Sequence, residues 1–234
     1  MDRGAYAQAL ANVEPALKLL PGLPDERERL RAELGVRLLE GRIVRVLYGA
    51  TSAERLEASE RVCELSERLG DTSALLRGLY GVASVHTHRG EVVRGLMISK
   101  RCLELAERNQ NREMLPAVQH LRAMSAWISG DLLLASSHFS DLMKPVGSAE
   151  LWAVDELLPG NLWATSPGQL AGVQLALGNP DEALRLSNEA LSRARQLKHA
   201  YTLAVAIWRA AEVRADRGES EEARDLAEIG RAHV

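Results

Sequence analysis

"GNPDEALRLSNEALSRA", residues 178–194, places a glycine that ends one helix directly before the start of another. Glycine just past a helix readily adopts the left-handed conformation that closes it. Asn179 can then cap the next helix, with Pro180 at its first position and Glu182 completing a capping box. The stretch therefore predicts the turn and the second helix of a helical hairpin.

The second helix of this hairpin is amphipathic. On its polar side, Asp181 with Arg185 and Glu189 with Arg193 form acid-first pairs four residues apart, which stabilise a helix. The other side, which we expect to pack against the first helix, is apolar. Its members are Ala183, Leu184, Ala190, Leu191, Ala194 and Leu197.

The glycine of this turn recurs along the chain at spacings of 40, 48 and 40 residues. A small residue follows each glycine by five positions, and an alanine precedes each by seven. ELSER at 64–68 and ELAER at 104–108 repeat with the same period of 40. Such fixed periods indicate stacked helical repeats, and small residues at both positions let the two helices of a hairpin approach closely. The three series are Gly90, Gly130, Gly178 and Gly218; Gly95, Ala135, Ala183 and Ala223; Ala83, Ala123, Ala171 and Ala211.

Helix-start and helix-stop signals predict an all-α fold, an α-solenoid of antiparallel helical hairpins. Asp25 with Glu28, and Thr51 with Glu54, supply capping boxes for two helix starts. No alternating β-branched run reaches five residues, so we expect no strand. The predicted helices are 4–20, 25–47, 52–69, 72–89, 91–109, 112–129, 131–144, 151–158, 168–178, 180–197, 199–217 and 219 onward.

The pattern predicts one repeat domain, residues 1–227. The insertion 145–167 carries the extra residues of the longer period, and it either decorates a binding face or covers a hydrophobic edge. The last residues, EIGRAHV, resemble the translation of a sequencing adaptor, so 228–234 is predicted to be a non-native tail on a fragment. The predicted hairpins are about 25–69, 72–109, 112–144, 168–197 and 199–227.

Composition and charge argue against several kinds of partner. The net charge is -3, with acids and bases well mixed, so we expect no nucleic-acid binding. No apolar run approaches the roughly 20 residues that span a bilayer. The first twenty residues have no uninterrupted apolar segment, so we expect no secretory signal. Cys63 and Cys102 are the only cysteines, and neither belongs to a CxxC motif or a Cys/His cluster. We therefore expect two reduced, buried thiols in a cytoplasmic protein.

Motifs of catalysis are missing from the sequence. GxxxxGK[ST], GxSxG, HExxH and GxGxxG do not occur. His86 and His88 are two apart on a predicted helix, hence on different faces, so they are poorly placed to share a metal ion. We therefore expect a non-catalytic chain that needs no metal or cofactor.

The small-residue pattern resembles that of tetratricopeptide repeats. It departs from them in its period, near 40 rather than 34, and in lacking the usual early Trp and Tyr. Longer repeats of this kind are similar to the tails of bacterial signalling ATPases of the maltose-activator type and of adenylate/guanylate cyclase–ATPase fusions. KLLPGLPDERERLRAELGVRLLEG at 18–41, and SPG at 166–168 followed by LALGNPDEAL, carry this resemblance, although an Asp is usual where Ser166 stands.

The resemblance implies that first helices line a groove for an extended peptide or a partner helix. The repeat register places Tyr80, His120 and Trp208 at one groove position. Since Tyr, Trp and Arg often anchor interfaces, these are candidate binding residues; alternatively, Trp127 and Trp208 merely pack between adjacent hairpins. The remaining candidates are Arg77, Met124, Trp127, Glu212 and Asp216.

The function predicted is that of a non-catalytic protein-interaction or regulatory scaffold. By resemblance, it would be the sensory repeat tail of a signal-transduction ATPase or nucleotide cyclase. Its partner would be a protein or peptide, including other domains of the same full-length chain. The alternative is the repeat domain of a transcription activator that binds a small-molecule inducer. A compact apolar pocket would favour that receptor, and an open charged trough would favour a peptide or protein.

Overall fold

The computed structural model describes residues 3–144, 161–197 and 199–232 and is all-α, with no β-strand in those ranges. Helices pack in consecutive antiparallel pairs, which confirms the predicted solenoid class. The chain divides into two compact units, residues 1–114 and 115–234. The assignment of 1–227 to one domain stays a prediction.

The first unit is a run of consecutively packed helices. The longest helix packs against the next one around Leu34, Val62 and Leu65, all of which are buried. The helix after these is the most enclosed, because every residue from 78 to 87 on it is buried. The helices are α1 Arg3–Ala11, α2 Val13–Leu19, a 3-10 turn Leu20–Gly22, α3 Glu26–Tyr48, α4 Ala53–Leu69, α5 Thr72–His88 and α6 Val92–Arg108.

The second unit contains three hairpins. In each, the first helix packs against the second, and the middle hairpin also packs against helices of the other two. The core between the last two hairpins is rich in alanine; Ala190, Ala194 and Ala210 are fully buried. The helices are α7 Leu115–Ile128, α8 Leu132–Leu142, α9 Leu162–Ala176, α10 Pro180–Leu197, α11 Ala200–Asp216 and α12 Ser220–Ala232.

The repeat glycines close helices as predicted. Gly90, Gly130, Gly178 and Gly218 all have a φ between 77° and 84°. At Gly178, the amide donates to the Leu175 carbonyl at 3.0 Å, and the Asn179 amide donates to the Gln174 carbonyl at 2.9 Å. The Asn179 side chain differs from the prediction, because its Nδ2 donates to Gln174 Oε1 at 2.8 Å. It faces the helix that ends rather than the one that begins.

One turn of the same kind lacks glycine. Gln110 has a φ of 49°, its amide donates to the Glu107 carbonyl at 3.0 Å, and the next amide donates to the Ala106 carbonyl at 2.9 Å. These bonds repeat the pattern at the glycine turns. No glycine marks this turn in the sequence, because the residue that takes the left-handed conformation there has a side chain.

Replacing Gln110 with glycine should therefore stabilise the protein. A left-handed residue with a Cβ costs roughly 1–2 kcal/mol, and the greater flexibility of glycine when unfolded removes about half of that gain. Urea denaturation should show a net gain of about 0.5–1 kcal/mol. The matched control is Asn109→Gly, at a φ of -94°, which should lose stability; a gain there too would contradict the explanation.

The small-residue positions are tightly packed. Ala83, Ala123 and Ala171 are fully buried. A Cβ built on Gly95 would lie 2.5 Å from Thr87 Oγ1 and 3.2 Å from its Cα, so α5 and α6 are in backbone contact there. Ala211 is only partly buried.

Helix α9 begins six residues before the predicted start at 168. Asn161 caps it, with Oδ1 accepting from the Ala164 amide at 3.3 Å, so Pro167 lies inside the helix. Proline has no N–H to donate to the carbonyl four residues earlier, that of Trp163. Arg193 supplies the missing donor: its Nη1 bonds the Trp163 carbonyl at 2.8 Å, and its guanidinium lies 4.8 Å from the Trp163 ring centroid.

Other helix ends differ from the predictions by smaller amounts. Asp25 caps α3 as expected, accepting from two amides, but α4 is capped by Ser52 rather than Thr51. The predicted helix 4–20 is interrupted at Asn12. Helix α7 begins at Leu115 instead of 112. The predicted helix 151–158 and most of the insertion lie outside the described residues, whereas α12 runs into the predicted tail.

One of the two predicted ion pairs on α10 forms and the other does not. Arg193 Nη2 donates to Glu189. Asp181 instead accepts from Arg217 Nη1 at 3.0 Å, which links the start of α10 to the end of α11. Arg185 is bound by Glu182 at 2.7 Å and by Glu189 at 3.1 Å. Helical spacing predicts that Asp181 pairs with Arg185, but Glu182 pairs with Arg185 instead.

Candidate functional site

One face of α9 has glycines at the positions where neighbouring first helices carry large side chains. Gly168 lies 40 residues before Trp208. A Cβ on Gly168 would lie 3.3 Å from Arg209 Cβ, and a Cβ on Gly172 would lie 2.7 Å from Trp127 Cη2. The side chains of Arg209 and Trp127 therefore lie directly on the backbone of α9.

These side chains form a stack of three layers with Trp208. The Arg209 guanidinium carbon is 4.8 Å from the Trp127 ring centroid and 4.0 Å from that of Trp208. Its Nη1 also donates to Glu212 Oε2 at 2.6 Å. Arg209 is 7% exposed, while Trp208 is 55% exposed. We call this group the Trp–Arg–Trp stack; it holds a large exposed ring in a fixed position.

The inner layer of the stack rests on the core. The Trp127 ring meets Phe139 in an edge-on contact, with centroids 6.2 Å apart. His120 makes a similar contact with Phe139 at 6.1 Å. Trp127 thus packs between hairpins, as the alternative interpretation expected of both tryptophans. Trp208 is 55% exposed, and its role in binding stays a prediction.

Several buried polar atoms of α9 and α11 have no hydrogen-bond partner in the described structure. They are Arg209 Nε, Gln169 Oε1 and Ser166 Oγ; Gln169 is 8% exposed and Ser166 is fully buried. A buried group without a partner costs about 1–3 kcal/mol.

The remaining predicted site residues have different surroundings. Glu212 is bonded to Arg209, Asp216 is exposed on the next turn, and Met124 is partly buried. In the first unit, Tyr80 is 4% exposed, and burial raises the pKa of its hydroxyl to about 12. Arg77 bonds Glu113 at 2.5 Å. Equivalent repeat positions therefore differ in exposure, and their role in binding stays a prediction.

Sequence reasoning missed Arg209, Gly168 and Gly172. The glycines could have been found, because they fall at groove positions in the repeat register. Arg209 could not have been found from the sequence, because its position in the stack depends on contact with Trp127, which lies 82 positions earlier in the chain.

The histidines and cysteines have local structural roles. His86 Nδ1 is 2.7 Å from Glu91 Oε2, and His88 Nδ1 is 2.7 Å from the Ser84 carbonyl. Cys63 and Cys102 are free, and burial raises the pKa of both thiols to about 12. No cluster of three His, Cys, Asp or Glu that could hold a metal ion occurs in residues 3–144, 161–197 and 199–232.

Solved structures with similar folds are repeat proteins. BtubC (BKLC) from P. vanneervenii matches with a TM-score of 0.68 and 13% identity, over 98% of this chain and 91% of that one. A putative kinesin light chain from Podosopora anserina, described as having nearly identical TPR-like repeats, matches in two structures. Their TM-scores are 0.59 and 0.57 at 17% and 18% identity; they cover 90% and 89% of this chain and 97% and 96% of theirs. The fold is TPR-like.

Sequence comparisons add nothing to this assignment. No family model matches the TPR-like chain, and no curated protein matches it either. Within the part of the chain that the structure describes, none of the helices combines the length and apolar character needed to cross a bilayer.

Proposed function

We propose that this chain is a non-catalytic protein-interaction scaffold, the sensory repeat tail of a bacterial signal-transduction ATPase or nucleotide cyclase. The observation that carries the scaffold role is Trp208, a large side chain that is 55% exposed yet fixed against a buried arginine. Rigid aromatic anchors contribute the most energy in many interfaces, because little conformational entropy is lost when they bind.

The structure around Trp208 favours a protein surface over a small molecule as ligand. The space above α9, which a ligand could enter between neighbouring first helices, holds the side chains of Trp127 and Arg209. On α11, Trp208, Glu212 and Asp216 have exposed side chains. Flat exposed surfaces suit protein partners, whereas small ligands are bound in concave pockets.

The signalling context is proposed from resemblance. It rests on residues 18–41 and on the SPG and LALGNPDEAL segments. Regulatory tails of this kind act by contacting a partner or a catalytic domain, so loss of the anchor should change the output of the parent protein.

The test uses the full-length parent protein. Its ATP hydrolysis and cyclic-nucleotide formation are measured for the natural sequence, for a form lacking the repeat region, and for Trp208→Ala. Tyr48→Ala is the matched control, since Tyr48 is 53% exposed on α3. We expect deletion to change the basal rate severalfold, Trp208→Ala to reproduce part of that change, and Tyr48→Ala to have no effect.

Two results would count against this proposal. A parent that joins the repeats to a DNA-binding domain would favour the inducer receptor instead. A parent ATPase or cyclase whose rate is the same with and without the repeats would refute the sensory role.

A further inference from the structure

We infer that the outward face of α11 binds a lysine- or arginine-bearing segment of a partner protein, with one cationic side chain stacked on the outer face of Trp208. This inference rests on the proposed scaffold role and adds the chemistry of the partner. It follows from the side chains of one helical face and from their charges.

Aromatic and acidic side chains share one stripe of α11. Tyr201, Trp208, Glu212 and Asp216 lie at intervals of seven, four and four residues, which keeps them on the same side of a helix. Tyr201 is 42% and Trp208 55% exposed, the Glu212 side chain is 41% exposed, and Asp216 is exposed as well. The stripe therefore offers two rings and two carboxylates to a ligand.

The charge of this stripe is unbalanced. Glu212 is bonded by Arg209, which is buried, while Arg214 and Arg217, the arginines nearest to Asp216 in the chain, bond Asn188 and the pair Asp181 and Glu219. Asp216 makes no ion pair with any residue that the structure describes. The adjoining surface of α9 adds no charge, because Gly168, Gln169 and Gly172 are neutral. A cationic ligand could therefore bind the unpaired carboxylate of Asp216 and the Glu212 oxygen that does not accept from Arg209.

The stack favours a cation on its open side. Aromatic rings attract cations at their faces, and the layers already alternate as ring, cation, ring. The inner face of Trp208 holds Arg209 at 4.0 Å, and the next layer in this order is a second cation. Repulsion from Arg209 is reduced because Glu212 neutralises it. Arginine should bind better than lysine, since its planar group is weakly hydrated and stacks on rings.

The distance between Trp208 and Asp216 determines how far apart the cationic residues of the ligand should be. Trp208 and Asp216 are eight residues apart, or about 12 Å along a helix axis. An extended segment advances about 3.3 Å per residue. Cationic residues three or four positions apart would therefore contact Trp208 and Asp216 at the same time.

The test measures fluorescence anisotropy of labelled peptides with the purified chain. The probes are GRGGRG, the same peptide with citrulline for arginine, and GEGGEG. Citrulline keeps the shape of arginine but removes its charge. We expect the arginine peptide to bind about tenfold more tightly than the citrulline peptide and to weaken as salt rises.

Variants locate the site. Trp208→Ala should weaken binding of the arginine peptide about five- to tenfold, with Trp208→Phe in between. Asp216→Asn should weaken it about two- to fivefold. The control is Asp225→Asn on α12, which removes an equally exposed charge and should change binding little. Circular dichroism melts establish that each variant is folded.

Several outcomes would overturn the inference. They are tighter binding of GEGGEG, equal losses for Asp216→Asn and Asp225→Asn, binding that is insensitive to Trp208→Ala, or no binding of any probe. If the arginine peptide fails while Trp208→Ala still alters the parent enzyme, the scaffold role stands and the cationic partner is wrong.

Discussion

Replacing Ala171 with leucine is expected to destabilise the protein by about 1–3 kcal/mol. Ala171 is fully buried on α9, and α9 packs against α10, whose Ala183, Ala190 and Ala194 are also fully buried. A leucine side chain has no room between these helices unless they move apart. Any such movement loses contacts along the whole hairpin, because protein interiors are close-packed.

Urea denaturation measures this loss, and Ala176→Leu is its control. Ala176 lies on the same helix but is exposed, so leucine there should change the free energy of unfolding by less than about 0.5 kcal/mol. Equal stabilities of the two variants would show that Ala171 is not at a close helix crossing.

Arg193→Met is expected to cost about 2–3 kcal/mol. Methionine keeps much of the apolar stem, but it removes the donor that bonds the Trp163 carbonyl. That carbonyl has no helical partner because Pro167 stands four residues later. The variant also loses the contact of the guanidinium with the Trp163 ring. A partly buried acceptor without a donor accounts for the larger part of the expected loss.

Pro167→Ala tests this explanation. Alanine at 167 restores an N–H that can donate to the Trp163 carbonyl, so Arg193→Met should cost about 1 kcal/mol less in that background. The comparison is a double-mutant cycle in urea. The same cost in both backgrounds would mean that Arg193 does not compensate for the proline.

The turns and hairpins could be predicted from the sequence because their causes are local. Glycine directly after a helix indicates a left-handed helix end, and Gly90, Gly130, Gly178 and Gly218 all adopt that conformation. The alanines seven positions before each turn glycine, and the alanines or glycine five positions after it, indicate a close contact between the two helices of one hairpin. These signals repeat, so each occurrence supports the others.

The start of α9 was predicted wrongly because its cause is not local. Ser-Pro-Gly at 166–168 reads as a helix boundary, and the proline is accommodated only by Arg193 from the next helix. The left-handed turn at Gln110 could not be predicted, because only glycine is a reliable sequence signal for that conformation. Of the candidate site, Trp208 was predicted, but Arg209 owes its position to contacts with another hairpin.

Small residues recur along the chain because the helices of a hairpin touch through their backbones. Gly95→Ala and Gly41→Ala test this claim most directly, since both glycines lie within helices. At Gly41 an added Cβ meets nothing within 4 Å, whereas at Gly95 it meets the Thr87 backbone at 3.2 Å. Measured by urea denaturation, Gly41→Ala should gain about 0.5–1 kcal/mol, and Gly95→Ala should lose about 1–2 kcal/mol. A gain in both variants would contradict the claim.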